Sequence, residues 1–71
     1  MKIMNNNLLE TYIKFKGFSI RDMAKMTDLS VDEFIEKMRG FKDFRISEMK
    51  IICDALKLKE SEIDKIFFGK G

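Results

Sequence analysis

The sequence predicts an all-α fold, a compact bundle of five short helices. Apolar residues recur at helical spacing in five stretches, and each stretch is bounded by residues that start or stop helices. No alternating apolar and polar run supports a β-strand. The chain has 71 residues, of which 45% are apolar and 37% charged, and it has no proline. A chain of this length can bury one core only, so we predict a single domain over residues 1–71.

Capping boxes predict where the first three helices begin. In a capping box, a polar cap residue and an acid three positions later satisfy free backbone N–H groups at the helix start. The stretches "NLLE" from Asn7, "SIRD" from Ser19 and "SVDE" from Ser30 have this form. The predicted helices span residues 8–16, 20–26 and 30–39, and Gly17 and Gly40 end the first and third.

Two further helices are predicted in the second half of the chain. The fourth begins near Arg45, and its apolar stripe comprises Ile46, Met49, Ile52, Cys53 and Leu56. The fifth has acids in its first turn, at residues 60–62, and ends at Gly69. Its final residues, "IFF", cannot all face inward on a terminal helix. The stripe Ile63, Ile66 and Phe67 is expected to face inward, and one or two of the three final residues must pack on the first or fourth helix. Phe67 and Phe68 are the candidate dimer-interface residues, Phe68 before Phe67, and simple packing within the chain is the alternative.

Composition argues against an enzyme. The chain has no histidine, no glycine-rich phosphate loop and no metal-ligand spacing, and it is too small for a deep pocket. We expect no catalytic residue, no metal and no cofactor. The single cysteine, Cys53, lies on an apolar stripe and is expected in the core.

The cellular location expected from the sequence is the cytoplasm. A chain this small in an oxidising compartment usually carries several disulfides, and one cysteine cannot form an internal one. The N-terminal "MKIMNNNLL" lacks the apolar run of a signal peptide, and nowhere do about eighteen apolar residues run together. We therefore predict no export and no membrane span.

The second and third helices, "SIRDMAKM" and "SVDEFIEKMRG", are joined by "TDL", which is the layout of a helix-turn-helix over residues 19–39. So tight a turn makes the helices cross closely, which requires a small residue at the crossing and an apolar residue in the turn. Ala24 and Leu29 meet these two needs.

From Leu8 to Phe68 the chain resembles the phage-repressor helix-turn-helix domains of the Cro and XRE type, which are lambda-repressor-like five-helix bundles. The resemblance rests on "KGFSIRDMAKMTDLS", "FIEKMRGFKDFRISEMKIICDALKL" and "EIDKIFF". It implies a sequence-specific DNA-binding transcriptional regulator, repressor-like or Cro-like, with the third helix in the major groove of operator DNA. It also implies a homodimer, at least on DNA. No small-molecule effector is evident.

Two departures from the family pattern stand out. Asp28 occupies the turn position where the family usually has glycine, which is tolerable because Asp visits left-handed conformations. The third helix carries acids on its exposed face where the family usually has neutral polar or basic residues. Those acids are Asp32, Glu33 and Glu36.

Local structure accounts for two of the three acids. Asp32 and Glu33 lie in the first helical turn, where the helix dipole favours anions, and Glu33 is also spaced to pair with Lys37. Glu36 has no such reason apart from a pairing with Arg39. One functional reason is base readout, since a carboxylate can accept a hydrogen bond from the N4 amino group of cytosine.

The candidate DNA-binding surface combines this helix with a rim of cations that would hold phosphates. The predicted set comprises Arg21, Ser30, Val31, Asp32, Glu33, Glu36, Lys37, Arg39, Lys42 and Arg45. The alternative is a protein-interaction module of the same fold that uses the acidic face of the third helix to bind a basic protein partner.

Overall fold

The computed structural model describes residues 6–68, which form five α-helices and contain no strand. The all-α prediction is thus confirmed for this part of the chain. The helices are α1 (Asn6–Phe15), α2 (Ile20–Met26), α3 (Val31–Met38), α4 (Ile46–Leu56) and α5 (Glu60–Phe67). None of them has both the length and the apolar run that a membrane span requires.

Capping side chains begin the helices close to the predicted positions. Ser19 Oγ accepts the Asp22 N–H at 3.0 Å, and Asp22 Oδ2 accepts the Ser19 N–H at 3.0 Å, which completes the predicted box. Ser30 Oγ accepts the Glu33 N–H at 3.1 Å, which is the serine half of the box predicted for α3. Helix α1 begins at Asn6, so Asn7 lies inside the helix, and its side chain is outside the described residues.

Four helices end in the same way, with one residue in the left-handed backbone region. These residues are Gly17, Asp28, Gly40 and Lys57, with φ of 87°, 60°, 86° and 52°. In each case the next N–H bonds a carbonyl five residues back, as Leu29 does with Ala24 at 2.9 Å, which satisfies a helix-terminal carbonyl. The left-handed conformation expected of Asp28 is confirmed, whereas the one at Lys57 was not predicted. The stop expected at Gly69 lies outside the described residues, and α5 ends at Phe67.

The core is built from the inner faces of all five helices. Its buried apolar residues are Leu9, Ile13, Met23, Ala24, Phe34, Met38, Phe44, Ile52, Leu56, Ile66 and Phe67. Cys53 packs against this core as predicted, and burial raises the pKa of its thiol. Ile46 was predicted in the core but is 72% exposed. The reason is its position, roughly 100° around the α4 axis from the buried face that Ile52 and Leu56 define.

An aromatic chain crosses the core from α3 to α5. Phe44, from the loop between α3 and α4, lies 5.5 Å from Phe34 and 6.1 Å from Phe67 between ring centroids. Phe67 is only 4% exposed, so its prediction as a dimer contact is corrected: the residue faces inward and packs edge-on against Phe44. Phe68, the other dimer candidate, is 45% exposed.

Candidate nucleic-acid interface

Helices α2 and α3 pack more extensively on each other than any other pair of helices in the described residues. Only residues 27–30 separate them. The Thr27 hydroxyl donates to the Met23 carbonyl at 2.8 Å, and Leu29 packs against the core from within the turn. Ala24 is 2% exposed, as the close approach of the two helices requires. The roles predicted for Ala24 and Leu29 therefore agree with the structure.

Helix α3 turns one face inward and one outward. Phe34 and Met38 lie in the core, while Asp32 and Glu36 are exposed. Glu33 is half-buried on one flank of the helix. The predicted site residues Ser30 and Val31, at the helix start, are also exposed. The outer face of α3 is thus accessible to a partner, and Asp32 and Glu36 are exposed as expected, whereas Glu33 is partly covered.

Lys37 does not belong to the exposed rim, which corrects the prediction that it contacts phosphate. The residue is 6% exposed, and its Nζ donates to Glu48 Oε1 at 2.8 Å and to Oε2 at 3.0 Å. Lys37 therefore pairs with Glu48 and not with Glu33, the partner expected from the sequence. Lys37 lies on the side of α3 that faces the start of α4, where its ammonium group meets a buried carboxylate instead of water.

The environment of Glu48 keeps its carboxylate ionised. Burial acts to raise the pKa of Glu48, but hydrogen bonds from Lys37 and from the Arg45 N–H outweigh it and hold the pKa below its ordinary value. The Arg45 N–H bond, at 2.8 Å, also caps α4. Glu48 was noted in the sequence only as part of the family pattern, and its pairing with Lys37 was missed. A buried lysine and glutamate eleven residues apart leave no local signal in a sequence.

Glu36 has a structural partner that the sequence did not indicate. Its Oε1 lies 3.2 Å from Lys42 Nζ, and its backbone carbonyl accepts the Phe41 N–H at 2.9 Å. Both charged side chains are about half exposed, at 48% for Glu36 and 55% for Lys42. Because solvent screens such a pair, it stabilises the fold by about 0–1 kcal/mol. The pair does, however, place a cation beside a carboxylate on the outer face of α3.

The remaining cations of the predicted rim are all exposed. Arg21 lies in the first turn of α2, Arg39 follows α3, Lys42 lies in the α3–α4 loop, and Arg45 caps α4. With Lys37 removed, the predicted site retains four exposed cations and the three carboxylates of α3. The surface is therefore nearly balanced in charge, and its binding selectivity must depend on where each charge lies.

A depression of about 340 Å³ lies beside one flank of α3. It is lined by the α2–α3 turn, one flank of α3 and the first turns of α4, with the residues Thr27, Asp28, Leu29, Glu33, Lys37, Arg45, Ser47, Glu48 and Ile51. The Lys37–Glu48 pair forms part of its wall. The depression lies between the flank of α3 that carries Glu33 and the start of α4, and Glu36 is not part of its lining.

Two exposed apolar residues bracket the cationic loop, and sequence reasoning did not assign either to the site. Phe41 is 75% exposed and Ile46 is 72% exposed. Phe41 lies within the α3–α4 loop and Ile46 is the first residue of α4, so both are accessible beside the charged side chains of the loop.

Other kinds of site find no support in the described residues. No group of three or more acidic, cysteine or histidine side chains there could hold a metal ion. A scan against protein-family models, a search of curated proteins and a search of solved structures found no match to this chain.

Proposed function

We propose that the protein is a sequence-specific DNA-binding transcriptional regulator, repressor-like or Cro-like, in which α2 and α3 form a lambda-repressor-like helix-turn-helix. The single observation that carries the proposal is the geometry of this corner. Helix α3 projects an accessible face from a tight two-helix turn, Lys42 lies 3.2 Å from Glu36 on that face, and Arg21, Arg39 and Arg45 are exposed at the ends of α2, α3 and α4. An α-helix fits the major groove of B-DNA, and cations at its margins can reach phosphates on both sides.

The cations and the carboxylates of the interface would contact different parts of the DNA. Arg21, Arg39, Lys42 and Arg45 would bind phosphates, which position the protein but carry no sequence information. The α3 carboxylates would repel phosphates and would be tolerated only against base edges that donate hydrogen bonds. Cytosine N4 is such a donor in the major groove, so Glu36 and Asp32 would select C·G pairs.

The proposed complex is a homodimer on an operator with inverted symmetry. Two recognition helices about 34 Å apart would enter successive major grooves on one side of the duplex. Phe68 supports this part of the proposal, since it is a large apolar residue, 45% exposed, at the end of α5. With Phe67 in the core, Phe68 is the remaining dimer candidate from the predicted pair.

The exposed apolar residues near α3 favour a second candidate, a module that binds a basic protein partner. Phe41 and Ile46 are both more than 70% exposed, and Val31 at the start of α3 is 37% exposed. Apolar groups beside acids suit a partner surface that combines basic and apolar side chains. The same face of α3 would then serve as a protein interface.

Selection of binding sites from random duplexes tests the DNA proposal. The expected result is an enriched motif with inverted symmetry and C·G pairs at the positions that α3 reaches. Affinity for that motif should fall steeply with salt, with a log–log slope of about −0.9 for each phosphate bound. Absence of any enriched motif would reject the proposal and favour the protein-interaction module.

Reversing the charge of Glu36 separates the two candidates. If α3 binds DNA, Glu36→Lys should leave non-specific DNA affinity equal or stronger while changing the selected sequence. If α3 binds a basic protein, the same change should weaken that complex. Glu10→Lys is the matched control, since it alters the net charge equally on a helix, α1, that is not part of the proposed helix-turn-helix.

A further inference from the structure

One carboxylate oxygen binds groups at both ends of the loop that carries the interface cations. Glu48 Oε1 accepts a hydrogen bond from Lys37 Nζ at 2.8 Å and another from the Arg45 N–H at 2.8 Å. Lys37 lies in the last turn of α3, and Arg45 is the residue before α4. We call this arrangement, made of Lys37, Glu48 and the Arg45 N–H, the loop clasp.

Burial gives the loop clasp its strength. The side chains of Lys37 and Glu48 are each 8% exposed, and the second carboxylate oxygen also lies 3.0 Å from Nζ. Water competes little for groups so enclosed, and removing either partner would leave the other charge buried alone. The exposed Glu36–Lys42 pair, which spans part of the same loop, lacks this protection.

The clasp and the aromatic core hold the loop at different points. Phe44 anchors the loop from inside through its contacts with Phe34 and Phe67, whereas Glu48 joins the two ends. Between these anchors the loop turns Phe41, Lys42 and Asp43 outward. Their position relative to α3 therefore depends on the anchors.

We propose that Lys37 and Glu48 are positioning residues, which set the cations of the loop at a fixed place relative to the outer face of α3. For DNA this inference rests on the proposed function. Arg39, Lys42 and Arg45 would remain exposed without the clasp, so attraction to any duplex would persist. What would be lost is the simultaneous fit of phosphate contacts from the loop and base contacts from α3. The clasp thus acts on sequence selectivity through residues that do not touch DNA.

The test uses a double variant that removes the ion pair but spares the fold and the net charge. In Lys37→Met with Glu48→Gln, methionine fills the space of the lysine stem, and the glutamine carbonyl can still accept the Arg45 N–H. Replacing a buried ion pair by groups of similar volume is often neutral for stability. The matched control is Lys14→Met with Glu10→Gln, which removes the exposed 3.2 Å pair on α1.

Two measurements read out the result. Amide hydrogen exchange over residues 39–45, relative to α1, should rise about tenfold in the double variant. The ratio of affinity for the selected operator to affinity for an unrelated duplex should fall about tenfold, with little change in affinity for the unrelated duplex. The control variant should change neither quantity.

Unchanged exchange in the loop would overturn the inference, and so would an unchanged affinity ratio. If the native chain selects no duplex, the proposed function is wrong, and so is the role of the clasp in DNA binding. The amide hydrogen exchange of residues 39–45 then still decides whether the clasp orders the loop. If the double variant does not fold, the native chain supplies the test. Its Arg45 amide should exchange as slowly as the core amides of α4, and fast exchange there would overturn the clasp.

Discussion

The ring of Phe44 lies 5.5 Å from the ring of Phe34, so a loop residue packs directly on the inner side of the proposed recognition helix. Phe44 is 6% exposed, although its neighbours on both sides, Asp43 and Arg45, are exposed. The α3–α4 loop is therefore a part of the core as well as a part of the candidate interface. In this loop Phe44 faces the core, while the charged side chains of Lys42, Asp43 and Arg45 face outward.

This contact predicts a large difference between two phenylalanines of the same loop. Phe44→Ala should lower the free energy of unfolding by about 3–5 kcal/mol, because it opens a cavity between α3 and α5. Phe41→Ala should change it by less than about 0.5 kcal/mol, since that side chain is 75% exposed. Urea denaturation of both variants measures the difference, and equal effects would contradict the position of Phe44.

Removing one member of the buried Lys37–Glu48 ion pair should strongly lower the free energy of unfolding. Glu48→Ala leaves the Lys37 ammonium group buried without its carboxylate and removes the side chain that caps α4. We expect a loss of about 3–5 kcal/mol in the free energy of unfolding. Glu10→Ala removes a partner of the exposed pair with Lys14 and should cost at most about 1 kcal/mol. Similar losses in the two variants would show that the Lys37–Glu48 pair is not buried.

The left-handed backbone conformation of Lys57 predicts that replacing this residue by glycine raises the free energy of unfolding. Lys57 has φ of 52°, which glycine adopts without the steric cost of a Cβ, so Lys57→Gly should stabilise the protein by about 1 kcal/mol. Lys50→Gly, on the exposed side of α4, should destabilise it by about 1 kcal/mol. Thermal unfolding monitored by circular dichroism should show opposite shifts, and a loss at Lys57 would contradict its assigned backbone conformation.

The lowered pKa values of three carboxyl groups predict how the stability of the protein changes at acid pH. The pKa of Glu62 is lowered by hydrogen bonds from the Lys59 N–H and from Tyr12, that of Asp22 by hydrogen bonds from Ser19, and that of Glu48 by the contacts described above. Each folded pKa lies below its ordinary value of 4.5 for Glu or 3.8 for Asp. The stabilisation is therefore complete above those values and is lost as pH falls through the lower folded pKa values.

The melting temperature should accordingly vary little from pH 7 to about 5.5 and fall below about pH 4.5. A variant with Asp22→Asn and Glu62→Gln lacks two of the three groups. Its melting temperature should fall less steeply with acid than that of the native chain, and parallel curves would contradict the lowered pKa values.

The amino-acid sequence by itself determined the five helices and most of their ends. Capping and stop signals act between residues a few positions apart, so Ser19, Ser30, Gly17 and Gly40 could be read without knowledge of the fold. The exposed carboxylates of α3 followed from helical periodicity for the same reason. The left-handed Asp28 likewise reflected a property of one residue and its turn.

The tertiary structure decided which side chains the other helices cover. Lys37 was expected at the surface and Ile46 in the core, and both lie elsewhere. Periodicity gives the face of a helix on which a residue lies, but burial also depends on what packs there. Lys37 is buried because Glu48, eleven residues later, meets it, and Ile46 is exposed because the core covers the side of α4 that carries Ile52 and Leu56. These long-range contacts determine which cations of the candidate interface can reach a partner.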